Sequence, residues 1–392
     1  MFKQFKTART LAFVAAVTGS GYLFAPPSGG TPTSAPVAPT GVTKAAGYYA
    51  YSSVATTPGA VVTEPTVMAV KVTKILGLVS AVTAEAAEAM NGSGSNAGAL
   101  GADTGTKIAG SSGSAHKAST WLRVSYGAID NSVTGQAWNG QSYLTMVGAD
   151  YKFNNMFCAG LGLSYSHLDA RTEFNNGKMK QDTLGVNPYF IIVPHKNFNF
   201  EFVGGWSTTK GNDSRRWITT QQTNAAGVVN YIDNTFTCTP KAKAMFGGVF
   251  ANFVNKVNKT SFNLQLGYLM MQSKMDKFTE KSQQAAYNGS AMSVPSNTFK
   301  AQTATAKVLV GYQMTPSVMP FINVHGQYDV KKNQGVTFAT AAAYKVNRSA
   351  IGGGAGLQVK NDDALSGSLQ FDYTARGQLK TYVTGLRLHY GF

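Results

Sequence analysis

The chain has 392 residues, of which 43% are hydrophobic and only 13% charged, with 42 Gly, 22 Phe and 18 Tyr and a formal charge of +16. The charged share is about half that of an ordinary soluble chain, yet no run of about 18 or more apolar residues offers a helical membrane span. No arginine-rich run or recognition-helix pattern directs the positive balance to nucleic acid; two cysteines, Cys158 and Cys238, make no disulfide framework; and no phosphate loop, dinucleotide fingerprint or metal-ligand spacing asks for a cofactor.

Residues 1–24 begin with Lys3, Lys6 and Arg9, followed by a short apolar run at 11–17 and small residues, the plan of a secretory signal peptide. Residues 25–65 are rich in Pro, Thr, Ala and Gly and cannot bury enough apolar surface to offset ordering entropy, so they read as an extended segment. The one good helix candidate is 66–91: alanines, Leu76, Leu78 and Met90 favour helix, Glu85 and Glu88 leave a polar stripe, and Asn91-Gly92 ends it. A Gly/Ser/Ala/Asn tether follows at 92–119.

From 120 onward, strands follow one another. The first is 121–126. At 142–153, Tyr143, Thr145, Val147, Ala149 and Tyr151 share one face, with Met146, Gly148 and Asp150 on the other. In 157–167, Leu161, Leu163 and Tyr165 oppose Cys158, Gly160, Gly162, Ser164 and Ser166. Next come 182–193 and 198–209, the latter with Phe198, Phe200, Phe202 and Trp206 opposite Asn199, Glu201 and Val203. The series continues through 236–253 as one long strand, then 262–272, 303–314, 318–330, 344–360 and 365–375. The last stretch, 379–392, sets Tyr382, Thr384, Leu386, Leu388, Tyr390 and Phe392 against Val383, Gly385, Arg387, His389 and Gly391.

Alternation alone does not say whether the apolar face meets a sandwich core or lipid. The connections decide it. Short turns at 154–155, 194–197, 315–316 and 361–363 alternate with longer stretches at 169–180, 210–235, 274–299 and 331–343. Turns on one side and loops on the other is the layout of a membrane barrel, and about twelve strands satisfies its even count. The expected fold is therefore all-β: a transmembrane antiparallel β-barrel over 120–392, with a short helix near or inside its lumen. The ending on Tyr390-Gly391-Phe392 resembles the last strand of Gram-negative outer-membrane barrels, whose final Phe belongs to the signal read by the assembly machinery.

More specifically, 120–392 resembles the β-domain of autotransporters, the type V secretion translocators. The resemblance rests on WLRVSYG at 121–127, VGADY at 147–151, GLGLSYS at 160–166, DTLGVNPYF at 182–190, GGGAGLQV at 352–359, LQFDYTARG at 369–377 and the terminal GLRLHYGF. It implies a twelve-stranded outer-membrane barrel whose pore holds a helix, with 84–90 as the segment concerned and Gly160, Gly162, Gly352, Gly354 and Gly356 leaving room for it. Two features depart from the family. Only about 90 low-complexity residues stand where a passenger of several hundred is usual, and Asn91 is single where some members carry a paired-asparagine cleavage motif.

The alternation turns Asp150, Glu201, Lys307, Asp372 and Arg387 towards the lumen as pore-lining charges, with both signs available to hold a segment inside. Tyr390 and Phe392 are the expected assembly signal. The resemblance makes the chain a monomeric translocator barrel, without enzymatic chemistry, that carries or holds its own N-terminal segment; a surface antigen or plugged narrow pore is the other reading. Outer-membrane lipid, lipopolysaccharide phosphates facing scattered lysines, the barrel-assembly machinery and periplasmic chaperones are the expected partners. A third reading, a barrel hydrolase, rests on His167 with Asp169 as base and orienting group.

Overall fold

The computed structural model describes residues 117–132, 137–154, 156–172, 177–195, 197–223, 229–284, 293–332, 347–360 and 365–392. The expected leader at 1–24, extended segment at 25–65 and helix at 66–91 lie outside the described residues, as does the tether up to 116. The described strands, in order, are β1 (Ala118–Asn131), β2 (Trp138–Lys152), β3 (Phe157–Thr172), β4 (Gly177–His195), β5 (Phe198–Thr223), β6 (Val229–Cys238), β7 (Lys241–Val257) and β8 (Thr260–Met275). They continue as β9 (Phe278–Thr279), β10 (Lys281–Ser282), β11 (Ser293–Val294), β12 (Asn297–Tyr312), β13 (Val318–Lys332), β14 (Ser349–Lys360), β15 (Leu365–Arg376) and β16 (Leu379–Gly391).

Twelve of these close a barrel. Leaving out β6, β9, β10 and β11, each strand pairs antiparallel with the next, β5 pairing directly with β7 and β8 with β12. The last strand returns to the first over a register running from Ser119↔Gly391 to Asn131↔Leu379. Closure leaves no unpaired strand edge in the wall, the condition a sheet must meet to sit in hydrocarbon. This is the antiparallel twelve-stranded barrel that the alternation predicts.

Strand parity sets the two faces. Leu122, Val124, Val147, Leu163, Leu184, Leu266, Val308, Ile322 and Val324 all stand exposed on the outside. Arg123, Ser125, Asp150, Asn187, Glu201, Asn252, Gln265, Asn323 and Gln370 are buried on the inside. Buried rings such as Trp121, Tyr189, Phe246 and Phe250 share the interior with these polar groups, and the apolar exterior suits a lipid surround. Aromatic pairs border the band. Phe157–Phe190 (5.8 Å), Phe198–Phe200 (4.7 Å) and Tyr390–Phe392 (6.2 Å) stand at the end with the tight turns, and Tyr126–Tyr143 and Tyr373–Tyr382 (both 5.1 Å) near the other. Between Tyr390 and Tyr382 a strand advances about 26 Å before tilt, enough for the apolar band of such barrels.

Connections at the turn end never exceed the five residues between Tyr312 and Val318. Asn258 takes a left-handed φ of 55° in the 258–259 turn between β7 and β8, a conformation asparagine tolerates better than most residues. At the opposite end the structure revises the expected single strand at 236–253 and the polar connection at 210–235. Strand β5 runs on to Thr223, and β6 folds back against it from Asp213↔Cys238 outward. The partner of β5 changes from β7 to β6 at Pro240, which has no N–H to give the ladder. There the Gly211 N–H donates to the Pro240 carbonyl at 2.7 Å, and a Cβ at Gly211 would stand only 2.7 Å from the proline ring. The β5–β6 hairpin thus projects beyond the barrel wall, where both faces of a strand can be polar.

Candidate functional site

The inner wall is the candidate site, and glycines shape it. A Cβ at Gly160 would fall within the Tyr189 ring, and one at Gly148 would collide with the Trp121 indole and stand 2.7 Å from the Leu161 carbonyl oxygen. In the same way Phe246 fills the place beside Gly205, Phe250 that beside Gly267 and Phe321 that beside Gly356. Inward aromatic rings therefore lie along the wall, over the glycines of neighbouring strands. This corrects the expectation that Gly160, Gly162, Gly352, Gly354 and Gly356 leave open room. Their space is taken by Tyr189, Trp121, His325, Asp372 and Phe321 respectively, because the side chain that occupies a glycine's volume comes from another strand, adjacent in each case except Trp121, which reaches from β1 across β2 to Gly162.

Polar groups are joined to these rings. Asp150 on β2 accepts from Ser119 Oγ at 2.7 Å and from the Tyr189 hydroxyl, and Trp121 Nε1–H donates to the same hydroxyl at 3.0 Å. Three strands, β1, β2 and β4, are tied through one carboxylate, across the Gly160 position of β3. On the far wall, Gly352 and Gly354 of β14 let side chains of β13 and β15 meet across it, although strands two apart are separated by about 9.6 Å. Asn323 Nδ2 donates to Asp372 Oδ1 at 3.0 Å, Gln370 to the other Asp372 oxygen, and His325 Nε2 lies 2.9 Å from Thr374 Oγ1. Between these walls Asn252 donates to Asn199 at 2.8 Å, and Gln265 to Asn252 at 2.9 Å.

All five charges singled out by alternation stand on this inner face, on β2, β5, β12, β15 and β16. Asp150, Glu201, Lys307 and Arg387 are buried and Asp372 is half-buried. Asp372 and Arg387 occupy neighbouring strands, but Asp372 is in register with Val383, four positions from Arg387, or about 13 Å along the strand. What the structure sets beside Arg387 is Arg123, directly opposite in register and also buried. Two like charges in register repel unless other groups of the wall offset them. Sequence reasoning passed over Arg123, although its parity with Trp121 and Ser125 places it inward.

It also passed over Asp329 and Arg376. Arg376 Nη1 donates to Asp329 Oδ2 at 2.5 Å and to the Asn347 carbonyl at 3.3 Å, Nη2 donates to Gln327 Oε1 at 3.1 Å, and Thr303 Oγ1 donates to Asp329 Oδ1 at 2.9 Å. Both charged partners are buried. Arg376 lies one residue past the expected end of its strand, which hid its inward parity.

A family model of the autotransporter β-domain matches residues 120–372. The chain belongs to that family. Two solved autotransporter structures share its fold. The translocator domain of NalP from Neisseria meningitidis is 13% identical, with 70% of this chain and 88% of that one covered and a TM-score of 0.57. The β domain of the Bordetella autotransporter BrkA is 12% identical, with 70% and 100% covered and a TM-score of 0.51. No curated protein sequence matches. The chain is thus an autotransporter translocator barrel, of a family whose barrels are outer-membrane secretion domains.

In this autotransporter barrel the hydrolase pair is not the one expected. His167 Nδ1 lies 2.8 Å from Asp182 Oδ1, and Asp169 instead meets Lys180 at 3.4 Å. The reason is register. His167 and Asp182 are directly opposed on β3 and β4, and such pairs approach more closely than residues two apart on one strand. The Tyr165 hydroxyl donates to the same Asp182 oxygen at 2.8 Å, so the cluster is a hydrogen-bonded patch on the barrel's outer face. Neither Cys158 nor Cys238 forms a disulfide among the described residues.

Proposed function

We propose that this barrel is inserted in the outer membrane of a Gram-negative cell, and that its lumen carries or holds the chain's own N-terminal segment. The observation that carries the reading is where the chain enters the closed barrel. Strand β1 begins at Ala118 at the end with the tight turns, where Phe392 N–H donates to the Ala118 carbonyl at 3.0 Å. A segment preceding Ala118 meets the wall at the periplasmic side and reaches the opposite side through the lumen. In this proposal Asp150, Glu201, Lys307, Asp372 and Arg387 line that passage.

No enzymatic step, metal or cofactor belongs to this mechanism. Passage draws on folding or capture outside the cell. Tyr390 and Phe392, paired on the outer face, are the groups we assign to recognition by the assembly machinery after delivery by periplasmic chaperones, and the barrel works as a monomer.

An epitope tag near residue 45, probed on intact cells with an external protease, tests the reading. Loss of the tag while the barrel keeps its heat-modifiable mobility is the expected result. A folded barrel with the tag protected would leave a plugged pore or surface antigen in its place.

A further inference from the structure

The outer face of the barrel carries a charge pattern that the lumen does not use. Lys210 and Lys241 are directly opposed in register on β5 and β7, and Lys243 and Lys274 are directly opposed on β7 and β8. All four point outward and are exposed. They lie on the two register rows that contain the upper aromatic side chains. One row runs Tyr126, Tyr143, His167, Asp182, Lys210, Lys241, and the next runs Thr145, Tyr165, Leu184, Thr208, Lys243, Lys274. Beside this block, Asp182 stands opposite Lys210, and Asp276 follows β8 with its N–H donating to the Lys241 carbonyl at 2.9 Å. Four lysines against two carboxylates leave the block positive.

Like charges opposed across strands cost stability, and two such pairs stacked on one another suggest an anion that offsets the repulsion. Directly below them, on the lipid side, opens a groove of about 790 Å³. Leu163, Leu184, Val186, Trp206 and Met245 line it, with Lys243 and Lys274 at its upper margin. An apolar groove beneath paired ammonium groups, at the height of the aromatic border, matches a molecule with phosphates at one end and acyl chains at the other.

We propose that this groove is a binding site for a phosphorylated glycolipid of the lipid A type, its phosphates held by Lys243 and Lys274 with Lys210 and Lys241 above, and its acyl chains laid over Trp206 and Met245. The proposal rests on the outer-membrane placement proposed above, but its test is independent of whether the lumen carries anything.

Full-length protein purified in mild detergent is mixed with diphosphorylated lipid A, and the bound fraction is read by native mass spectrometry. The wild-type barrel is expected to retain one lipid A. The Lys243→Gln/Lys274→Gln double variant, which keeps most of each aliphatic stem, is expected to bind about thirtyfold more weakly, as two lysines at an anionic lipid surface imply. Lys380→Gln, an outward lysine opposite Asp130 on β1, serves as the control and is expected to bind as wild type. Heat-modifiable mobility confirms that each variant is folded. Equal retention by the double variant would overturn the proposal, and so would equal binding of dephosphorylated lipid A or of phosphatidylglycerol. Displacement of the lipid by inorganic phosphate alone would reassign the lysines to a free-anion site and overturn it as well.

Discussion

Gly160→Ala is expected to destabilise the barrel by about 3–5 kcal/mol, far more than one methyl group on an ordinary strand. The new Cβ would enter the Tyr189 ring. Overpacking of this kind costs about 1–3 kcal/mol, and a displaced Tyr189 also surrenders its hydrogen bond to the Asp150 carboxylate, adding about 1.5–3 kcal/mol. Trp121 Nε1–H loses its acceptor in the same movement. Tyr189→Ala is expected to cost a similar amount through the emptied slot. The informative comparison is the double variant. With the ring gone, an alanine at 160 meets no clash, so Gly160→Ala/Tyr189→Ala should be no less stable than Tyr189→Ala alone, a non-additivity of a few kcal/mol. Urea unfolding of the barrel refolded in vesicles, with heat-modifiable mobility as a second probe, measures all three. Strictly additive losses would mean that the glycine acts through backbone freedom and not through the ring seated on it.

Much of this architecture was legible before any coordinates, because a membrane barrel writes both faces into every strand. The outward set Tyr143, Thr145, Val147, Ala149 and Tyr151 and the inward set Met146, Gly148 and Asp150 follow from period two alone, and the alternation of turns and loops gave the closure. What was not legible depends on register. The partner of His167 is Asp182 because β3 and β4 align these two residues, and nothing local to 167–169 records that alignment. The glycines show the same limit. Gly352 and Gly354 read as open space until β13 and β15 are placed on either side, when they prove to be the gap through which Asn323 reaches Asp372. The far end failed for a different reason. Polar composition marks a loop only while a strand lies in hydrocarbon, and β5 remains a strand into the water beyond it, so its Asn212–Asp213–Ser214 stretch resembled a connection.

Arg376→Ala is the second large loss expected, about 3–5 kcal/mol, because it strips a guanidinium from a buried carboxylate. Asp329 is 2% exposed and Arg376 5%, so water does little to screen the pair or to replace it. The substitution also removes the donors to Gln327 and to the Asn347 carbonyl, the latter at the approach to β14. Asp329→Asn should cost less, about 1–3 kcal/mol, since Arg376 can still donate to the amide oxygen and the Thr303 hydroxyl can turn to accept from the amide NH2, while the charge attraction is lost. Replacing both partners with apolar residues of similar volume, as in Arg376→Met/Asp329→Leu, should recover most of the stability lost in Arg376→Ala, because no isolated charge then stays buried. Lys380→Ala, at the same end of the wall but half-buried on the outer face opposite the exposed Asp130, should change stability by no more than about 0.5 kcal/mol. Equilibrium unfolding in vesicles orders the four variants. If Arg376→Ala unfolds with Lys380→Ala, the pair is open to solvent and contributes no more than an exposed ion pair; if it falls well below, the two side chains are what fastens β12, β13 and β15 around the small Ala350 of β14.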